Sequence, residues 1–132
     1  MRLLTGDLRL LLQELKEQGE KDPSIEVWAC AFEIPSTLNT RVFKKNTKPE
    51  LMYAKYSKGR YREIIVERRG PRGGVYKTRA RNLNIFDNEE ECKTYYEELV
   101  LRNMKNREGE IKSAVDSYEI LMGKMRELID NE

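Results

Sequence analysis

The feature that most narrows what this chain can fold into lies near its end. Leu101, Met104, Glu108, Ile111, Val115, Tyr118, Met122, Met125 and Ile129 follow one another in steps of three and four, the spacing of a single stripe along a helix. The stripe extends about four heptads and is broken once, by Glu108 beside Gly109. A continuous helix over residues 88–130 is about 64 Å long at 1.5 Å per residue. A compact domain of 132 residues has no dimension that covers such a length. Either Gly109 bends the helix back onto the rest of the molecule, or part of it finds another surface. In the second case Ile111, Val115, Tyr118, Met122, Met125 and Ile129 form the seam of a coiled coil with a second copy, a homodimer.

The start of this helix is marked by Asp87-Asn88-Glu89-Glu90, where Asp87 serves as N-cap and the acidic first turn suits the helix dipole. Near the other end, Thr5 offers an N-cap. Leu8, Leu11, Leu12 and Leu15 then repeat at helical spacing, so residues 5–18 read as a short amphipathic helix stopped by Gly19. After Asp22-Pro23-Ser24, residues 25–34 carry apolar side chains on both alternating faces, as a central strand covered on two sides requires, and Pro35 ends the run.

From residue 41 to 86 the pattern changes to short alternating runs, separated by turn signals at Asn46-Thr47-Lys48-Pro49, Ser57-Lys58-Gly59 and Gly70-Pro71-Arg72-Gly73-Gly74. Ile64 and Val66 share one strand face, with Tyr61, Glu63, Ile65 and Glu67 on the other. Further on, Tyr76, Thr78 and Ala80 oppose Val75, Lys77, Arg79 and Arg81. The expected fold is α+β: a short N-terminal helix, a small twisted antiparallel sheet of three to five strands, curled in an SH3-like manner as one option, and a long C-terminal helix. Residues 1–132 are expected to form one domain, with 1–86 as the helix-and-sheet unit and 87–132 as the long helix.

Composition removes most catalytic plans. The chain contains no histidine, which takes away the usual general base near neutral pH and the usual imidazole metal ligand. Cys30 and Cys92 are isolated thiols outside any CxxC spacing, so buried free thiols are expected rather than a zinc site or a redox pair. Glu63 and Glu67, four residues apart on one strand, are too widely spaced for a glycosidase pair. No catalytic residue, cofactor or metal is expected. No apolar run is long enough for a membrane span, and Arg2, Asp7 and Arg9 interrupt the leucines of the first turns, so the expected location is the cytoplasm.

The formal net charge of +2 conceals three blocks. Residues 1–40 hold four basic and seven acidic side chains, 41–81 hold fourteen and three, and 82–132 hold seven and thirteen. The basic centre interleaves Arg60, Arg62, Arg68, Arg69, Arg72, Lys77, Arg79 and Arg81 with Tyr61 and Tyr76. Guanidinium forks match phosphate oxygens and aromatic faces stack on unpaired bases, so this composition on a sheet suits nucleic acid, or an acidic or nucleoprotein partner. The opposing reading is a solvated face whose charges pair with the acidic helix.

The opening of the chain, a Thr-capped leucine helix followed by Asp22-Pro23 and a Val-containing strand, resembles small accessory proteins of phages and mobile elements. The junction Ile85-Phe86-Asp87-x-Glu89-Glu90 is similar to the same group. For a phage-encoded chain the resemblance implies work in the host cytoplasm, and it carries over no site residue. The leading functional expectation is a small non-enzymatic accessory protein gripping nucleic acid or a nucleoprotein. The alternative is an inhibitor of a host defence protein, of anti-CRISPR or anti-restriction type, acting by protein contact alone. A homodimeric scaffold is a third.

Overall fold

A strand with apolar side chains on both faces needs a cover on each side, and the arrangement around residues 24–33 supplies both. A computed structural model of the chain describes residues 1–33, 45–58, 63–69 and 75–130. The elements are β1 (Arg2–Leu3), α1 (Thr5–Glu17), β2 (Ser24–Glu33), β3 (Lys45–Tyr56), β4 (Ile64–Arg69), β5 (Val75–Arg79), a 3-10 turn (Ala80–Asn82), β6 (Asn84–Phe86) and α2 (Glu89–Asp130). The six strands form one sheet in the order β1-β6-β2-β3-β4-β5, with every neighbouring pair antiparallel.

On one face, Val27 and Ala29 of β2 join Met52, Ala54, Ile64, Val66 and Ile85, and Leu8 and Leu12 of α1 close over them. On the other face, Cys30 and Phe86 pack against Cys92 of α2, flanked by Trp28, Tyr95 and Tyr96. The helix-and-sheet unit therefore has a cover on each side, but the second cover reaches only β6, β2 and part of β3.

Local chemistry explains the helix ends. The cap of α1 lies one residue earlier than expected: Leu4, not Thr5, is the N-cap, and its N–H donates to Asp7 Oδ2 at 2.9 Å, satisfying a donor the helix leaves open. Its other end closes as a Schellman turn. Gly19 adopts φ 101°, its N–H reaches Lys16 O at 3.1 Å, and Glu20 N–H reaches Leu15 O at 3.2 Å. In α2 the cap is Asn88, whose Oδ1 accepts from Glu91 N–H at 2.9 Å. Asp87 instead lies beside the Met1 amine at 2.6 Å.

One expectation is corrected and two open alternatives are decided. The Asn46-Thr47-Lys48-Pro49 stretch is part of β3, not a turn. The β2–β3 register slips between Ala29 and Ala31, so that Lys48 and Pro49 oppose Cys30 alone. Such a bulge is where a residue without an N–H fits a strand. The sheet does not curl into a barrel: β1 and β5 end the strand order unpaired with each other, because helices rather than strand closure cover its faces. Finally, Gly109 does not bend α2, which runs unbroken for 42 residues. A glycine lowers helix stability by about 1 kcal/mol without imposing a kink.

Two predictions follow from this packing. Leu8, on the sheet-facing side of α1, is fully buried, and Leu8→Ala should lower unfolding free energy by about 2–5 kcal/mol in urea titration. Cys30 and Cys92 are free and fully buried, and Cys30 Sγ points at the Cys92 carbonyl 3.8 Å away. The contact with Cys30 and burial push the Cys92 thiol well above its ordinary range. Both thiols should resist a water-soluble disulfide reagent in the folded protein and react together once it unfolds; fast reaction in the native state would contradict this.

Candidate polyanion-binding surface

Pairing register decides which of the basic side chains share a face. Lys77 stands opposite Glu67 and Arg79 opposite Ile65, so both project from the α2 side of the sheet beyond the part that α2 covers. Arg68 and Tyr76 are register partners on the α1 side. The basic strands are thus divided between two faces.

Among the described residues the cations of the sheet are partly neutralised, and by glutamates of the same block. Lys55 Nζ meets Glu67 at 2.8 Å, Arg68 meets Glu50 at 2.8 Å, and Arg79 Nε meets Glu63 at 3.2 Å. These glutamates are the three acids of residues 41–81, each held one strand away from its cation. Arg68 also lies over the Tyr76 ring, with 4.7 Å from guanidinium carbon to centroid, a cation–π contact that aligns the fork. Lys55 and Glu67 are the least exposed of these pairs, at 19% and 14%, so screening weakens them least.

The α2 carboxylates are directed elsewhere. Glu89 pairs with Lys93 at 2.6 Å and Glu110 with Arg107 at 2.7 Å, while Asp87 and Glu91 face the Met1 amine. Among the described residues no ion pair joins α2 to β3, β4 or β5. Tyr96 Oη to Asn46 Oδ1, at 2.6 Å, is a neutral link between helix and β3.

Folding also assembles a cluster that sequence order hides. Arg9 of α1, Arg79 at the end of β5 and Arg81 in the 3-10 turn line one depression together with Thr5, Ile64 and Glu63. Arg9 and Arg81 are exposed, and neither makes an ion pair among the described residues. Arg9 lies some thirty residues upstream of the basic block, and no local signal marked it. The α1 helix crosses the sheet at this point because its leucines pack there; the Tyr56 hydroxyl then donates to the Arg9 carbonyl at 3.2 Å, fixing that turn. Arg81 also borders a second depression, of about 350 Å³, with Arg2, Asn84 and Tyr95. There Arg2 donates to Asn84 Oδ1 at 2.8 Å and lies over the Tyr95 ring at 5.1 Å.

Of the other expected contact residues, Lys77 is exposed on β5. Arg60, Tyr61, Arg62 and Arg72, with the glycines around Arg72, lie outside the described residues, as does the side chain of Arg69. Among the described residues no three carboxylates, thiols or imidazoles gather as a metal site, and no helix is long and apolar enough to cross a membrane. No family model, curated protein or solved structure matches this chain, so its functional reading rests on this chemistry.

The glutamate partners yield a direct check. Replacing Glu50, Glu63 and Glu67 together by Gln removes three negative charges from the sheet without changing side-chain length. Retention on a heparin column should rise, while stability falls by no more than about 1 kcal/mol per exposed pair. Unchanged retention would mean that these strands do not face the polyanion.

Proposed function

We propose that this chain is a small non-enzymatic accessory protein that binds nucleic acid or a nucleoprotein through the basic side of its sheet unit. The observation that carries the reading is the depression where Arg9, Arg79 and Arg81 converge from three elements around one carboxylate, Glu63. Planar guanidinium groups suit phosphate oxygens, which accept two N–H bonds from each fork. Around this cluster, the three strand glutamates are engaged with Lys55, Arg68 and Arg79, and eleven of the fourteen cations of residues 41–81 exceed the acids of that block. Lys77, on the same face of β5 as Arg79, extends the surface. Contacts of this kind read the phosphate backbone and not base sequence.

Fluorescence anisotropy with a labelled DNA duplex and a labelled single-stranded RNA tests the proposal. Binding should weaken linearly on a log–log plot against salt, with a slope of about −0.9 per duplex phosphate neutralised. Arg9→Ala with Arg81→Ala should reduce affinity about tenfold and flatten that slope by roughly two contacts. Absence of binding to both nucleic acids at low salt would remove the proposal. Capture from a bacterial lysate before and after nuclease treatment then separates the alternative: a partner lost on digestion was bridged by nucleic acid, whereas one that remains points to inhibition of a host protein by direct contact.

A further inference from the structure

We propose that the distal part of α2 is the seam of an antiparallel homodimer, formed with the same segment of a second copy. This inference is independent of the nucleic-acid reading. A helix with no tertiary support is marginal in water, because most helical stability in proteins comes from packing an apolar face. Yet past Asn103 only Arg107 and Met122 are even half-buried. Met104, Ile111, Val115, Tyr118, Met125 and Ile129 are 48–69% exposed, and Leu121 and Leu128, which widen the stripe on one side, are 54% and 71% exposed. At about 100 Å² for each such side chain, one copy offers roughly 800 Å², the share that each partner contributes to a stable protein interface.

Charge selects the direction. In a parallel pair Glu108 would lie in the seam against the partner's Glu108, and Arg107 would face the partner's Lys112, two like-charge contacts. An antiparallel pair centred between Asp116 and Ser117 removes both. Val115 then packs opposite the partner's Tyr118, Ile111 opposite the partner's Met122, and Met104 opposite the partner's Ile129. Lys112 meets the partner's Glu119, and symmetry repeats that contact. Lys105 approaches the partner's Arg126, but Glu108 lies level with that arginine and offsets the repulsion. The carboxylate that interrupts the stripe thereby acquires a partner.

Direction also places the sheet units. Each carries 18 basic against 10 acidic side chains over residues 1–86, so a parallel pair sets two strongly cationic bodies side by side. In the antiparallel pair the two Val100 positions are about 50 Å apart at 1.5 Å per residue, with one basic surface at each end.

Light scattering and sedimentation of the full chain test this. The unmodified protein should have twice its 15.6 kDa chain mass at micromolar concentration, and Val115→Glu should reduce it to a monomer. Because that variant alone could lose helix, solvent-side charge variants carry the orientation. Lys112→Glu and Glu119→Lys should each raise the dissociation constant about tenfold, and the double variant should restore it. A monomer, trimer or tetramer in the unmodified protein overturns the proposal. So does tighter association of Lys112→Glu, the result a parallel pair gives through Arg107, or failure of the double variant to recover.

Discussion

Burial of β2 on both faces governs the molecule, since a strand that carries apolar side chains on both faces has to be enclosed from two directions at once. Val27 and Ala29 on one side and Cys30 on the other are fully buried, and each side is closed by a different helix. The α1 leucines serve the broader face, over β2, β3 and β4. The first turns of α2 serve the narrower one, where Cys92, Tyr95 and Tyr96 meet Cys30, Trp28 and Phe86. The aromatic contacts there are edge-on or tilted, with Phe32 and Tyr96 at 6.1 Å and Phe86 and Tyr95 at 5.3 Å between centroids, geometries favoured by ring quadrupoles.

This division leaves two surfaces uncovered, and they differ in chemistry. Where α2 stops short of β4 and β5, the sheet presents lysine, arginine and glutamate arranged by strand register into neighbouring pairs. The pairs hold long side chains in place more than they stabilise the fold, because exposed ion pairs contribute little net free energy. For the proposed polyanion contact their value would be positional: an ordered guanidinium costs less to fix on binding than a free one. Where α2 runs beyond the sheet, the uncovered surface is apolar. A charged face and an apolar stripe at opposite ends of one chain suit two separate partners.

An antiparallel pairing through that stripe would give a rigid rod with a cationic body at each end. Two weak backbone-reading contacts at a fixed separation act together when a nucleic acid spans both, by raising the effective concentration at the second site. The helical seam would then have a role in function as well as in stability.

Much of the architecture was legible in the amino-acid order, because it rests on short-range periodicity and backbone chemistry. Leucines at helical spacing before Gly19, the doubly apolar run that became β2, the alternation of Ile64 and Val66, and the acidic first turn of α2 each specify an element within a few residues. What only the tertiary structure decided depends on contacts between distant segments. The two-residue β1 strand exists because it pairs with β6, more than eighty residues away. Pro49 could be placed in a strand only once β2 lay beside it, and Arg9 joined Arg79 and Arg81 only once α1 was seated on the sheet. Charge composition gave the surplus of cations, but register set which of them meet a glutamate, since residues opposite one another share a face whatever their distance along the chain.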